Sequence, residues 1–355
     1  MKEKMKVVMY GMGVIGSKIA KAILNKQGIE IVGAIDIEPQ KVGKDLSEIL
    51  DLQEKTGIIV SNETNQMLSS SNAQAVVHTT SSHLTEVFPQ IAECIEADLN
   101  VISTCEELSY PFQRHSELSK KLDSLCKNHK VTVVGTGINP GYLMDTLPLV
   151  LTGPCLDVKS VKVTRMMNSV QRRIPFQKKV GTGLSVEEFR KYIDNKIITG
   201  HVGLLESINM IADGLGWQLD EARELPPEPI IAEKEVTTPL GVVKPGQVLG
   251  LKSHAYGKMK GKEIIILNFI AYAGVEEEYD EVIIEGEPNI HQKILGGVHG
   301  DIGTVATTIN TIPKVINASP GLMTMKDLPV PSATPMDMRI YIKGSGILKF
   351  QSSKY

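Results

Sequence analysis

The first 150 residues alternate short apolar runs with longer segments in which apolar residues recur at helical spacing. The runs predict six strands, near residues 6–10, 29–36, 57–60, 75–79, 100–104 and 131–135. Helices are predicted between successive strands, after Lys41, over 84–97 and over 114–128. Strands that alternate with helices form a parallel sheet, and right-handed crossovers place helices on both of its faces. The pattern predicts an α/β fold that begins with a doubly wound parallel sheet, over residues 1–150.

The pattern changes in the second half, where alternating and β-branched strands dominate. Strands are predicted over 156–167 and through 230–287, with a hairpin joining 250–258 to 263–273, and helices over 186–195 and 199–215. Elements in this order predict an α+β domain on a mixed or antiparallel sheet, over 151–299.

One more amphipathic helix is predicted from Gly300 to Ile316, with its apolar face packed back against the first domain. Pro313 is expected to end the regular part of this helix. The proline-containing stretch 317–355 is expected to be an irregular wrapping segment.

The first predicted strand runs directly into a glycine turn and a helix, with the residues Gly11, Met12, Gly13, Val14, Ile15 and Gly16. This Gly-x-Gly-x-x-Gly spacing is typical of Rossmann-type dinucleotide binding, in which the helix N-terminus faces a pyrophosphate. The second strand ends at Asp36, where a ribose 2′-hydroxyl needs an acceptor. We therefore expect NAD as cofactor, with a preference over NADP that Lys41 and Lys44 soften. A glycine turn in a ligand-free α/β domain is the alternative.

Composition and charge exclude several classes of partner. The net charge is −3, and 22% of residues are charged without a basic run, so no nucleic acid is expected. No apolar stretch approaches the roughly 18 residues of a membrane helix, and no secretory signal precedes the first strand, so no membrane partner and a cytoplasmic location are expected. The four cysteines and scattered histidines show neither zinc-site nor disulfide spacing, so no metal is expected.

Polar residues follow three of the predicted strands. Thr79, Thr80 and Ser81 can hold the cofactor's ribose and phosphates, although Ser82 could equally cap the next helix. Glu106 and Glu107 follow the fifth strand, where a carboxylate beside a nicotinamide can accept a proton from an ammonium group. The sixth strand leads into a glycine-rich turn over residues 137–141, whose Asn139 is expected to contact the cofactor.

In the second half, Arg165 is expected at a strand end, where a guanidinium can bind a substrate carboxylate through two hydrogen bonds. Asn168 follows shortly after it. His201 begins an apolar helix, so its ring is expected either to cap that helix or to contact a ligand. A surface arginine and a capping histidine are the structural alternatives.

Four motifs together resemble the 2,4-diaminopentanoate dehydrogenases, a family related to dihydrodipicolinate reductase and to amine dehydrogenases. They are the glycine turn, Ile102-Ser103-Thr104-Cys105-Glu106-Glu107-Leu108, Gly137-Ile138-Asn139-Pro140-Gly141 and Asn317-Ala318-Ser319-Pro320-Gly321-Leu322. The resemblance implies oxidative deamination of the 4-amino group of 2,4-diaminopentanoate to 2-amino-4-oxopentanoate and ammonia, as in ornithine degradation.

The resemblance also implies roles for individual residues. The catalytic carboxylate falls on Glu106 or Glu107, and substrate contacts fall on Asn139, Arg165 and His201. A further polar position of the family falls on Met167, so Asn168 substitutes for it or the pocket differs.

Two other functions remain open. One is a reductase of a C=N or C=O bond, similar to dihydrodipicolinate reductase or homoserine dehydrogenase, but no catalytic lysine or histidine pair is found at the strand ends of the second domain. The other is a non-catalytic NAD-sensing protein, against which the two glutamates argue. Because the second domain usually forms the dimer interface in two-domain dehydrogenases, a homodimer that binds a small amine or amino-acid substrate is expected.

Overall fold

The computed structural model describes residues 3–172, 174–198 and 200–343. Contacts between residues divide the chain into two units, one combining the residues up to Tyr142 with those from Gly300 onward, and the other spanning Leu143–His299. Each unit is built around its own sheet.

The first stretch of the chain alternates strands and helices throughout. Its elements are β1 (Met5–Tyr10), α1 (Val14–Leu24), β2 (Ile29–Ile35), α2 (Leu46–Leu50), β3 (Val60–Ser61), α3 (Thr64–Ser70), β4 (Ala75–His78), α4 (Leu84–Glu96), β5 (Asn100–Ser103), a 3₁₀ helix (Glu106–Ser109), α5 (Ser116–His129) and β6 (Thr132–Gly135).

The second unit contains most of the remaining strands. Its elements are α6 (Thr146–Leu151), β7 (Asp157–Asn168), a 3₁₀ helix (Ser169–Gln171), α7 (Ile174–Lys179), α8 (Val186–Asp194), α9 (Leu204–Gly214), β8 (Glu221–Glu224), β9 (Glu228–Ile231), β10 (Val236–Thr238), β11 (Gly241–Val243), β12 (Val248–Met259), β13 (Lys262–Tyr272), β14 (Tyr279–Glu287) and β15 (Ile290–Leu295). The chain then returns to the first unit with α10 (Gly300–Ile316), β16 (Gly321–Met323) and a 3₁₀ helix (Met338–Tyr341).

The first sheet has seven parallel strands in the order β16-β6-β5-β4-β1-β2-β3. Val7 and Met9 of β1 belong to a core shared with α1 and α10, whereas Val8 and Tyr10 belong to a second core shared with α4 and α5. Both faces of the sheet are therefore covered by helices, which confirms the predicted doubly wound, Rossmann-type fold.

The second sheet is mixed. Its strands follow the order β15-β14-β7-β13-β12-β8, and β9 also pairs with β12. The β7–β13 pair is parallel and the other pairs are antiparallel. β12 and β13 form the predicted hairpin, which turns at Lys260 and Gly261, both with positive φ. One face of this sheet packs on α9.

The helix predicted from Gly300 to Ile316 is confirmed as α10, but the expectation that Pro313 ends its regular part is wrong. The helix continues through Pro313, because Ile312, Pro313 and Val315 are buried in the core and their packing offsets the hydrogen bond that proline cannot donate. The stretch after it is not wholly irregular, since β16 pairs in parallel with β6. Its last predicted part, 344–355, lies outside the described residues.

The helix predicted from Thr199 begins instead at Leu204, with Gly203 at the N-cap in a conformation with φ of 110°. Thr199 itself lies outside the described residues. Across the described chain, no helix has both the length and the apolar character needed to cross a membrane.

Candidate active site

The glycine turn after β1 is closely packed at two of its glycines. Gly11 has φ of 94°, and a Cβ there would lie 2.7 Å from the carbonyl oxygen of Thr79. A Cβ on Gly16 would overlap the carbonyl oxygen of Gly11. Gly13 differs, because a Cβ at that position would meet nothing within 4 Å. The turn therefore leaves open space at Gly13, beside the N-terminus of α1.

The glycine turn and the N-terminus of α1 fit the pyrophosphate of a dinucleotide. Helix α1 begins at Val14 and has no acidic residue in its first turn, so the positive end of its dipole is not neutralised by its own side chains. A helix N-terminus with open space next to it is suited to a pyrophosphate, whose oxygens accept hydrogen bonds from backbone N–H groups.

Asp36 follows β2 and is nearly buried, with 9% of its surface exposed. Its Oδ2 accepts a hydrogen bond of 2.7 Å from Met12 N and one of 3.2 Å from Lys41 Nζ, and its Oδ1 accepts one of 2.9 Å from Glu38 N. Burial alone would raise the pKa of Asp36, but the two backbone N–H groups and Lys41 hold it below the ordinary value. Asp36 is therefore an ionised acceptor fixed against the glycine turn.

The hydroxyl groups after β4 already donate hydrogen bonds within the protein. Thr79 Oγ1 donates to the carbonyl oxygen of Gly11 at 2.7 Å, Thr80 Oγ1 to Gln90 Oε1 at 2.6 Å, and Ser81 Oγ to Glu86 Oε2. Each hydroxyl oxygen still has lone pairs that can accept a bond. Their predicted role in cofactor binding stays a prediction.

The helix cap expected from Ser82 is supplied by a different residue. The N-cap position of α4 is His83, whose side chain makes no capping hydrogen bond. Glu107 Oε2 instead accepts a hydrogen bond of 2.8 Å from Leu84 N, in the first turn of the helix. The side chain that stabilises this helix N-terminus therefore comes from the strand end after β5.

Glu107 is buried, with 7% of its surface exposed, and is surrounded by donors. Besides Leu84 N, its oxygens lie 3.2 Å from His83 Nδ1, 3.1 Å from Arg114 Nη1 and 2.9 Å from His115 Nε2. Burial would raise the pKa of this carboxyl, but the bonds from Leu84 and His83 and the charges of His115 and Arg114 hold it below its ordinary value. A carboxylate stabilised in this way is a weak proton acceptor.

Glu106 opens the 3₁₀ helix that follows β5 and is half-buried. It lies beside Cys105, whose thiol is buried and donates to the carbonyl oxygen of Ser82 at 3.2 Å. Burial raises the pKa of the Cys105 thiol, which makes it a poor nucleophile. Of the adjacent glutamates, Glu106 is thus the one that retains access to solvent at this strand end.

Buried, hydrogen-bonded polar side chains link β4 and β5 next to the turn that carries Glu106. His78 is fully buried, with Nδ1 2.9 Å from Ser103 Oγ and Nε2 2.8 Å from Gln90 Oε1. Cys105 N donates to the same Ser103 hydroxyl at 3.1 Å. Burial lowers the pKa of His78 to about 4, so its ring is neutral at pH 7. These hydrogen bonds fix the backbone from which Glu106 projects.

Asn139 lies in the turn after β6, where it is half-buried and precedes a cis bond to Pro140. Gly141 has φ of 119°, and a Cβ there would lie 2.5 Å from Gly137 N. Position 141 therefore requires glycine, because its backbone lies against that of Gly137. The glycine turn after β1, Asp36, Glu106 and Asn139 all follow strands of one parallel sheet, at the edge where the carboxyl ends of those strands meet.

In the second unit, Arg165 lies inside β7 rather than at a strand end, and only 2% of its surface is exposed. Its Nη1 bonds Asp280 Oδ1 at 2.9 Å, its Nη2 donates to the carbonyl oxygen of Val298 at 2.8 Å, and its Nε lies 3.1 Å from Met167 Sδ. Asp280 Oδ2 also accepts from Val298 N at 2.7 Å. Arg165 is thus half of a buried ion pair that binds both backbone groups of Val298.

The other two candidates of this unit have local contacts. Asn168 Oδ1 accepts a hydrogen bond of 3.1 Å from Val170 N and so caps the 3₁₀ helix at Ser169–Gln171. His201 lies before α9 and is not its cap. Its ring stacks on Phe269, with centroids 4.4 Å apart and planes inclined by 13°. Their predicted contacts with substrate stay predictions.

Sequence reasoning missed the partners that surround these residues. His83, Arg114 and His115 surround Glu107, and Asp280 pairs with Arg165. Among the described residues, no group of three or more His, Cys, Asp or Glu side chains is placed to hold a metal ion. Arg114 and His115 follow Glu107 by seven and eight residues, and this proximity was a signal available in the sequence.

Comparison with protein families matches two parts of the chain. Residues 142–344 match the 2,4-diaminopentanoate dehydrogenase C-terminal domain. Residues 5–105 match the N-terminus of dihydrodipicolinate reductase. The two matches together span both units and most of the chain.

Whole-chain relatives agree with these matches. The chain is 37% identical over 344 residues to a 2,4-diaminopentanoate dehydrogenase of Acetoanaerobium sticklandii, covering 95% of this chain and 97% of that protein. It is 22% identical over 350 residues to an amine dehydrogenase of Streptomyces virginiae, covering 91% of this chain and 96% of that one. The solved structure of an amine dehydrogenase from Mycobacterium smegmatis superposes with a TM-score of 0.80 at 27% identity, covering 94% of this chain and 98% of that one.

Proposed function

Because this chain belongs to the 2,4-diaminopentanoate dehydrogenase family, we propose that it oxidatively deaminates the 4-amino group of 2,4-diaminopentanoate with NAD as preferred cofactor. The products are 2-amino-4-oxopentanoate, ammonia and reduced cofactor. The observation that carries this proposal is the pair of adjacent glutamates after β5. One is half-buried at the carboxyl edge of the nucleotide-binding sheet, and the other is fully engaged in holding that strand end.

Glu106 is the proposed base. The 4-amino group is an ammonium ion at neutral pH, and it must lose a proton before its nitrogen lone pair can assist departure of hydride from C4. A carboxylate at this strand end can accept that proton. When bound, the nicotinamide ring accepts the hydride. Water then adds to the substrate iminium, and ammonia leaves.

Glu107 is the proposed support for this base rather than the base itself. Four donors surround its carboxylate and hold its pKa below the ordinary value, so protonating it during turnover would weaken the contacts with α4, Arg114 and His115. Glu106 precedes it directly in the chain. Fixing Glu107 therefore fixes the backbone from which Glu106 extends.

NAD is the proposed preference because Asp36 is ionised where a 2′-phosphate would have to bind. Lys41 lies 3.2 Å from Asp36 and 2.6 Å from Glu38, so its charge is shared between two carboxylates. The same lysine could still pair with a phosphate, which supports weak use of NADP.

Substrate contacts are proposed for Asn139, Asn168 and His201. Arg165 is proposed to stabilise the second unit instead, because its charge is balanced by Asp280 and its guanidinium also bonds the carbonyl oxygen of Val298. Asn168 also caps the 3₁₀ helix at Ser169–Gln171 through its Oδ1. A cytoplasmic location stays a prediction.

A homodimer is proposed through the face of the second sheet that does not pack on α9. Met166, Ile266, Ile270 and Ile283 share this face and are all half-buried. Introducing Asp at Ile270 should dissociate the dimer in a sedimentation experiment. An unchanged mass would reject this face as the interface.

The function is tested by incubating the protein with 2,4-diaminopentanoate and NAD or NADP, while absorbance of the reduced cofactor and free ammonia are measured together. We expect one ammonia per reduced cofactor and faster turnover with NAD. The matched control, 2-aminopentanoate, lacks the 4-amino group and should be inactive. Reduction without ammonia, or no reduction with any diamino acid or simple amine, would reject the proposal. Oxidation of NADH by a cyclic imine without ammonia would favour the reductase.

A further inference from the structure

Thr136 is a buried polar residue that the proposed function does not use. It follows β6 directly, and 3% of its surface is exposed. Its hydroxyl oxygen has no hydrogen-bond partner among the described residues. A buried hydroxyl without a partner destabilises a protein, so such groups in folded proteins need an explanation.

The backbone around Thr136 is fixed on both sides. Thr136 N donates to the carbonyl oxygen of Ser103 at 2.8 Å, which ties it to the end of β5. A Cβ on Gly135 would overlap the backbone of Leu108, so the 3₁₀ helix that begins at Glu106 packs directly on this strand. A Cβ on Gly141 would lie 3.0 Å from Thr136 Cα. Thr136 thus lies between the turn that carries Glu106 and the turn that carries Asn139.

The strand order shows which half of a dinucleotide reaches this position. Asp36 follows β2, on one side of β1, and the glycine turn follows β1 itself. With the adenosine ribose at Asp36 and the pyrophosphate at the glycine turn, the nicotinamide half must extend to the other side of β1, over the ends of β4, β5 and β6. Thr136 lies at the end of β6.

We propose that the Thr136 hydroxyl binds the carboxamide of the nicotinamide and sets the rotation of its ring. The carboxamide offers a carbonyl acceptor and an NH₂ donor, and a hydroxyl can pair with either. This assignment rests on the proposed function only in requiring a nicotinamide dinucleotide, and it holds whichever amine is the substrate. Thr136 touches cofactor and not substrate in this account.

A control for this proposal lies at the other end of β6. Thr132 opens β6 at the opposite end, is 1% exposed, and donates from its hydroxyl to the carbonyl oxygen of Ser319 at 2.9 Å. The two threonines therefore match in residue type and burial, and they lie at opposite ends of one strand. They differ in that one hydroxyl has a partner inside the protein and the other has none.

The experiment compares T136V, T136S and T132V. Valine replaces the hydroxyl by a methyl group of similar size, and serine keeps the hydroxyl. NADH binding is measured by quenching of protein fluorescence, and the melting temperature is measured without cofactor.

T136V should bind NADH about three- to tenfold more weakly, the range expected for one neutral hydrogen bond. Its melting temperature without cofactor should equal or exceed that of the wild type, because no internal bond is lost. T136S should bind NADH within about twofold of the wild type, because the hydroxyl that makes the bond is retained. T132V should show the reverse, a lower melting temperature with unchanged NADH affinity.

Three results would overturn the assignment. Unchanged NADH affinity in T136V, with or without a higher KM for the amine, would place the hydroxyl away from the cofactor. A melting temperature of T136V as low as that of T132V would mean that the hydroxyl has a partner within the fold. Binding of neither NADH nor NADPH by the wild type would reject both the function and this assignment, whereas NADH binding without amine oxidation would reject the substrate alone.

Discussion

The two sheets of this protein place their polar residues in opposite ways. In the parallel sheet, Asp36, Glu106 and Thr136 each follow a strand, at the carboxyl edge. In the mixed sheet, Arg165 lies within a strand and pairs with Asp280 of the neighbouring strand. The first sheet carries its chemistry at the ends of its strands, and the second buries a charged pair in its middle.

This difference shows in which kind of sheet the order of residues along the chain predicts which of them lie together in the fold. All strands of a parallel sheet point the same way, so residues that follow different strands meet at one edge whatever their distance along the chain. In a mixed sheet the neighbours depend on strand order, which the sequence does not state. Arg165 and Asp280 are adjacent only because β14 lies beside β7, and an arginine that looks exposed in sequence is therefore buried in the fold.

The largest effect is expected from a variant that breaks the buried ion pair of Arg165 and Asp280. R165M leaves Asp280 buried without its cation, and losing one partner of a buried ion pair destabilises a protein by about 3–5 kcal/mol. Urea unfolding should show this loss, and activity on 2,4-diaminopentanoate and on a simple amine should fall in parallel.

The double variant R165M/D280L provides the control, since removing both charges should recover much of the lost stability. A stable R165M protein with loss confined to substrates that carry a carboxylate would mean that Arg165 binds the substrate.

A smaller effect is expected at the carboxyl edge of the parallel sheet. D36A removes a charged acceptor from the 2′-hydroxyl and releases Lys41, so the ratio of kcat/KM for NAD to that for NADP should fall about tenfold or more. E38A is the matched control, because it removes the other carboxylate that contacts Lys41. An unchanged ratio in D36A, or an equal fall in E38A, would contradict the role of Asp36.

The smallest expected effect concerns the cap of α4. E107Q should lower the free energy of unfolding by about 1 kcal/mol at pH 7, the usual scale for a lost cap. The folded pKa of Glu107 is below its ordinary value of 4.5, so its contribution is complete above that pH and is lost as the pH falls through the folded pKa. The difference between E107Q and wild type should therefore shrink in acid.

The control for this variant is E86Q, which removes a charge from the exposed first turn of the same helix without breaking the cap. A constant difference between E107Q and wild type down to acidic pH would mean that the charge of Glu107 does not contribute.

The sequence was sufficient for the parallel sheet, the glycine turn and the β12–β13 hairpin, because local patterns specify them. It could not separate Glu106 from Glu107, since their difference arises from His83, Arg114 and His115, which come close only in the fold. It offered Ser82 as one possible cap, by residue type alone. The actual cap comes from the end of another strand.

Two features of the late chain, the passage of α10 through Pro313 and strand β16, were missed for a related reason. Proline at position 313 ends a helix on local grounds, but burial of its neighbours keeps the helix intact. Strand β16 has three residues and forms because β6 offers it an edge. Packing between distant segments decided both outcomes.

The central claim is that Glu106 is the base and Glu107 its support. It is tested most directly by reduction of NAD in a single turnover with saturating 2,4-diaminopentanoate, comparing E106Q with E107Q. E106Q should be slower by about 10²-fold or more, with unchanged NADH affinity, and E107Q should lose far less. Near wild-type rates in E106Q, with the large loss in E107Q or in neither variant, would contradict the claim.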